Sequence, residues 1–247
     1  MAGTCHEGRI FEEEIVNIKV ILAGAVLLGA GSAHAFEYRS DSGDSQNSLG
    51  VTGGGQIAWW QQFTVNGADS MITAIQLTFG LTLTGFPSNT PANAPFTVYV
   101  WKGTPTGAGV DTPTLLASAA GTVSAGSIDT DVFQTVAINA NITGTSNFFI
   151  GASMNHGSGV TPASLQQTGT GSFPILNNSW VGAYAANGFN PNNFGVQNTD
   201  FFRNSDIGFS GNWLIRAQAS PVPEPATMAT LAAAMGALAL RRRKRSK

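Results

Sequence analysis

"AIQLTFGLTLTG", residues 74–85, alternates apolar with small or polar side chains from end to end. Ile75, Leu77, Phe79, Leu81 and Leu83 fall on one face, and Gln76, Thr78, Gly80, Thr82 and Thr84 on the other. Successive side chains of an extended chain point to opposite sides, so a period of two marks a half-buried strand. The same period returns in "FTVYVW" (96–101), with Phe96, Val98 and Val100 facing one way. "VFQTVAI" (132–138) and "NFFIGASM" (147–154) follow, "QQFTV" (61–65) precedes, and "NWLIRA" (212–217) closes the series. The segments between are clusters of Gly, Pro, Asn, Ser and Thr, such as "KGTPTGAGVDTP" (102–113), which is turn chemistry. Helical periodicity is absent outside the two termini, and no repeat of fixed period argues for a propeller or solenoid. The pattern predicts one all-β domain over residues 36–220, an antiparallel two-sheet sandwich of jelly-roll type. Residues 155–211 are less regular and predict long loops and short strands at one edge. Trp180, Tyr184, Phe189, Phe201 and their aromatic neighbours there are too many for free solvent, and most are expected to be core residues or loop anchors.

Composition agrees with a turn-rich body. The 247 residues include 30 glycines and 11 prolines, and only 11% are charged. The net charge of −2 hides a segregation: Arg241 to Lys247 holds half of the basic residues. Between Phe36 and Ser220 the basic residues are Arg39, Lys102, Arg203 and Arg216, against nine acids. Four scattered cations on an acidic body cannot neutralise a row of phosphates, so nucleic acid is excluded as a partner. Cys5 is the sole cysteine, so no intrachain disulfide supports the fold.

Each terminus carries a linear signal. "VILAGAVLLGAGSAHA" (20–35) is an apolar run followed by small residues and the A-x-A pattern Ala33-His34-Ala35. It reads as a signal peptide over residues 1–35, cleaved before Phe36, and it is too short to span a bilayer comfortably. Glu12-Glu13-Glu14 upstream has the wrong sign for a signal-peptide n-region. A translation start at Val16, encoded by GTG, would restore a conventional leader.

At the other end, Pro223-Glu224-Pro225 precedes the apolar run 226–240 and the basic cluster Arg241, Arg242, Arg243, Lys244 and Arg245. Fifteen residues at the helical rise cover about 22 Å, short of a ~30 Å bilayer core. Snorkelling arginines and local thinning make up some of the difference. A single transmembrane helix over 226–240, with its basic cluster held in the cytoplasm, would leave the body facing the periplasm. The prolines keep the preceding segment extended. These three parts, in this order, resemble the PEP-CTERM sorting domain of Gram-negative bacteria. The resemblance covers about the last 27 residues. It implies that an exosortase recognises Pro223, Glu224 and Pro225 and cuts nearby, so that the protein passes from an inner-membrane intermediate to the cell surface or medium. It also implies an association with exopolysaccharide and biofilm matrix. The body, ending in an "NWxIRA"-like strand, is similar to a broad set of exported bacterial sandwich domains, a likeness that carries no activity.

Candidate chemistry in the body is sparse. His156 is the one histidine left after leader removal, and a triad with Ser153 or Ser158 lacks the G-x-S-x-G elbow. Zinc lacks a ligand set. Asp41 and Asp44, and Asp129 and Asp131, are closely spaced carboxylates that suit a calcium ion, or are solvated turn residues. Trp59 and Trp60 point to opposite faces of a strand, so one could stack on a sugar while the other packs in the core. No pair of acids is singled out for glycoside hydrolysis. The expectation is a non-enzymatic exported surface or matrix protein without a cofactor. Its partners are a signal peptidase, an exosortase, the inner membrane and exopolysaccharide. A carbohydrate-binding module and a hydrolase with an unfamiliar site are the alternatives.

Overall fold

Period-two segments become strands, and the computed structural model is built from thirteen of them among the described residues 36–67, 69, 71–81, 87–105, 110–193 and 201–220. The strands are β1 (Phe36–Tyr38), β2 (Asn47–Leu49), β3 (Gly54–Thr64), β4 (Met71–Leu77), β5 (Pro95–Pro105), β6 (Val110–Thr122) and β7 (Gln134–Asn141). They continue with β8 (Asn147–Gly157), β9 (Ala163–Gln166), β10 (Ser179–Tyr184), β11 (Phe201–Arg203), β12 (Asn212–Trp213) and β13 (Ile215–Ser220). Two 3₁₀ turns, Ala125–Ser127 and Asn204–Ile207, are the only helical elements described. The body is therefore all-β, and its strand pairs are antiparallel. The signal peptide and the C-terminal helix lie outside the described residues.

Three sheets form rather than the two expected. One has the order β1-β13-β4-β7, the largest β11-β10-β3-β8-β5-β6, and a small third β12-β9-β2. The third arises because "NWLIRA" is two strands: Asn212–Trp213 pairs with β9, the chain turns at Leu214, and Ile215–Ser220 pairs with β4. The opening stretch also stops early. Its strand ends at Leu77, and Phe79 makes single bridges to Ile128 and Ala163. Gly80 takes φ +84°, where an added Cβ would lie 2.1 Å from Asp129 Oδ1 and 2.4 Å from Ser88 Oγ. Only glycine fits there, and the backbone leaves the sheet. The alternation still predicts burial, since Ile75, Leu77, Phe79 and Leu81 are all in the core. "KGTPTGAGVDTP" is not wholly loop: β5 runs to Pro105 and β6 resumes at Val110 as the second arm of a hairpin.

The main core joins the four-stranded and six-stranded sheets. Ile57, Trp59, Val98, Val100, Phe148 and Ile150 of the larger sheet share one apolar cluster with Ile72, Ile75, Val136 and Ile215 of the smaller. Each large side chain so buried contributes about 1.5–3 kcal/mol. The opposite face of the six-stranded sheet is covered as well. Trp60, Tyr99, Trp101, Phe149 and Trp180 project there, and Tyr184, Phe189 and Phe201 complete a second cluster. Phe189 stacks on Trp60 at 6.3 Å and meets Tyr99 edge-on at 5.6 Å, while Trp101 Nε1 donates to the Pro191 carbonyl at 2.7 Å. Of the aromatics in the irregular region, Trp180, Tyr184 and Phe201 are thus strand residues in the core and Phe189 is a loop anchor, and together they leave the central strands β3, β5 and β8 buried on both faces.

Chain direction gives the body two distinct ends. Thr64 of β3 lies opposite Asn147, and Tyr38 packs on Phe63 and Phe148. Phe36, paired with Ala219, and Ser220, paired with Met71, lie at this end. The start of β3, where Gly54 pairs with Gly157, forms the other.

Candidate functional site

Buried polar groups decide which side chains remain free for chemistry. Asp41 is fully buried, and its carboxylate accepts from Arg216 Nε at 3.1 and 3.2 Å and from Nη2 at 2.5 Å. The Arg216 guanidinium lies 3.8 Å over the Phe133 ring, with Glu37 at 3.9 Å. Asp129 accepts from the backbone amides of Leu81 and Ser88, both at 3.1 Å. Asp131 accepts from Ser45 N at 3.0 Å, and Asp44 from Gln46 Nε2 at 3.4 Å. All four calcium candidates therefore have protein donors. Among the described residues, no three His, Cys, Asp or Glu side chains are grouped to hold a metal. Spacing in sequence could not show this, because the partner of Asp41 lies 175 residues away.

His156 ends no triad. Its Nε2 accepts from Val51 N at 3.0 Å, and its Nδ1 faces the Gly157 carbonyl at 2.8 Å. Both ring nitrogens are taken by backbone. Ser153 Oγ is engaged instead with Tyr99 Oη at 2.9 Å and Gln56 Nε2 at 3.3 Å, beneath the aromatic cluster. Trp59 and Trp60 do face opposite ways, but both are buried, at 1% and 0% exposure. Neither is open to stack on a sugar, because the second aromatic cluster covers the face expected to be exposed.

Tyr38 is the group whose titration is most altered. Burial pushes its phenol up to about 12, partly opposed by the Asn66 amide that donates to its oxygen at 2.8 Å. The Asp69 carboxylate, which accepts the phenolic proton at 2.7 Å, pushes it further up. These bonds fasten β1 to the turn after β3.

Two polar side chains missed in the sequence act as buried hubs. Gln61 Oε1 accepts from Ser179 Oγ at 2.6 Å and from Trp213 N at 3.2 Å, and its Nε2 donates to Asn178. Asn212 donates to the carbonyls of Ser40 at 2.6 Å and Pro174 at 2.8 Å. A Gln and an Asn within strands carry no local sign of such roles.

The body does have an opening. An apolar cleft of about 220 Å³ lies at the Gly54 end of β3, with Leu49, Val51, Ile57, Val181, Phe202, Ile207 and Phe209 among its walls. Phe202 and Ile207 are 44% and 38% exposed at its rim. None of its lining residues carries a charge, so it offers no acid pair for glycoside hydrolysis. Phe36, the residue after the expected leader cleavage, begins β1 and is exposed. Ala33, Ala35, the Pro223-Glu224-Pro225 triplet and the cluster Arg241 to Arg245 lie outside the described residues. No described helix is long and apolar enough to cross a membrane.

An all-β body joined to a C-terminal tail with a proline-acid-proline signal, an apolar run and a basic end defines a sorted, exported protein. The family model of the PEP-CTERM protein-sorting motif matches residues 221–244, and the chain carries that motif. The motif marks an exported protein processed by exosortase. No curated protein is significantly similar to the chain. Among solved structures, the chain is similar to the cysteine protease and lectin-like domains of Cwp84, a surface layer associated protein of Clostridium difficile. The identity is 14% and the TM-score 0.41, over 77% of this chain and 36% of that one. The chain thus spans about a third of the length of that solved chain.

Proposed function

We propose that the chain is a non-enzymatic exported protein of the cell surface or extracellular matrix, delivered as a folded β-sandwich of jelly-roll type. Its leader, residues 1–35, is removed by signal peptidase. The run 226–240 holds the body on the periplasmic side of the inner membrane, with Arg241 to Arg245 in the cytoplasm. Exosortase acts at Pro223-Glu224-Pro225, and residues 36–220 go on to the surface and its exopolysaccharide. The observation that carries this reading is the sorting motif at 221–244. Further support comes from the body, where His156, Ser153, Asp41 and Asp129 all make structural bonds. The test is fractionation of wild-type and exosortase-deficient cells, with mass spectrometry of both termini. Wild-type surface protein should begin at Phe36 and lack the Arg-rich tail, and the deficient cells should retain the tail in the membrane fraction. An intact tail on surface protein from wild-type cells would contradict the proposal.

A further inference from the structure

We infer that His156 is a pH-operated latch on the apolar cleft. The Gly157 carbonyl can only accept, so the ring proton sits on Nδ1 at 2.8 Å from it. Nε2 then presents its lone pair to the Val51 N–H at 3.0 Å. A second proton on the ring has to sit on Nε2, where it turns an acceptor into a donor facing another donor. Histidine changes charge between about pH 5 and pH 8, and no other side chain with an ordinary titration range does.

The segment that the imidazole holds lies between two anchored points. Upstream, Leu49 is fixed by its pairing with Ala163, and Ser48 Oγ is bonded to Thr161 Oγ1 at 2.8 Å. Downstream, Gly53 has φ +86°, and Gly54 and Gly55, at φ +89° and +142°, open β3, where they pair with Gly157 and His156. Between these points Val51 is tied by His156 and by its carbonyl, which accepts from Gly54 N at 2.9 Å within the same segment. Val51 and Gly50 form one wall of the cleft.

The surroundings do not offset a positive imidazole. Residues 49–56, 155–161 and 181–189 contain no Asp, Glu, Lys or Arg, and Tyr184 is their one other titratable group. The opposite wall, Phe201 to Phe209, carries Arg203 and Asp206, and Asp206 Oδ1 accepts from Ser205 Oγ at 3.3 Å. Protonation therefore removes one of the bonds that hold Val51 in the wall of the cleft, while its side chain still packs against the main core.

Amide hydrogen exchange of the full-length chain from about pH 8 to about pH 5, with the His156 ring followed by NMR, tests the latch. The Val51 protection factor should fall about tenfold or more, the equivalent of one lost hydrogen bond. The fall should track ring protonation, while Val98 in β5 stays protected. In His156→Gln the side-chain oxygen accepts without titrating, so Val51 protection should become independent of pH. Undiminished Val51 protection with a protonated ring would overturn the inference. So would a ring that stays neutral to about pH 5, or the same pH dependence in His156→Gln. The wild-type measurement stands whether or not the variant folds.

Discussion

Replacing Asp41 by Asn removes one charge from a pair that is almost wholly out of water. Asp41 has no exposed surface and the Arg216 side chain keeps only 12% of its own. The carboxylate takes both Nε and Nη2 of the guanidinium, and the arrangement fastens the segment after β1 to the face of β13. Breaking a buried pair from one side costs about 3–5 kcal/mol, since the remaining charge stays desolvated. Glu37, 3.9 Å from Nη1 and partly exposed, offsets a fraction, which favours the lower half of that range. At about 2–4 °C per kcal/mol for a domain of this size, Tm should fall by roughly 6–16 °C. Thermal and urea unfolding followed by circular dichroism measure this, and an unchanged urea m value would show that the unfolded state is not the cause. The double variant Asp41→Leu with Arg216→Met should be more stable than either single charge deletion, because no uncompensated charge remains. A loss under about 1 kcal/mol in Asp41→Asn, or a double variant no better than the singles, would refute the reasoning. The same geometry implies that millimolar calcium leaves the wild-type Tm unchanged; a rise would show that these carboxylates take an ion instead.

Other consequences follow from the buried hubs and the turn. Gln61→Leu leaves the Trp213 amide and the Ser179 hydroxyl without their acceptor, at about 1–3 kcal/mol for each, read from the urea midpoint. Gly80→Ala puts a methyl where Asp129 and Ser88 already sit and forces alanine to φ +84°, so a loss above about 2 kcal/mol is expected in the same assay. Tyr38 sets an alkaline limit. Its phenol titrates near 12 in the folded protein and near the ordinary 10 when unfolded, so the folded state holds the proton more tightly. The stabilisation is complete below about pH 10 and is lost as pH rises to about 12. In Tyr38→Phe that part of the decline should vanish from the stability–pH curve, and an equally steep decline would mean that the phenol is not responsible.

Several features were legible because they are local or linear. Burial of Ile75, Leu77, Phe79 and Leu81 follows from side-chain alternation, which any extended chain imposes whatever its partner. The sorting motif is likewise read along the chain, since an enzyme that recognises a short extended segment needs only its order of residues. Strand ends were less legible. Alternation in "AIQLTFGLTLTG" continues past Leu77, but the positive φ of Gly80 and its contact with Asp129 end the pairing. "NWLIRA" similarly gives no local sign that Leu214 is a corner between two sheets.

By itself the sequence determined an all-β body and a sorting tail, because periodicity and short signals are written in neighbouring residues. Only the tertiary structure decided that Trp59 and Trp60 are both covered, that Asp41 is held by Arg216, and that His156 grips Val51 beside an apolar cleft. Each of these depends on what the fold brings up from about 100 or more residues away. Whether a carboxylate, an imidazole or an indole is free for chemistry is set by that distant partner and by the water it displaces, and no local pattern encodes either.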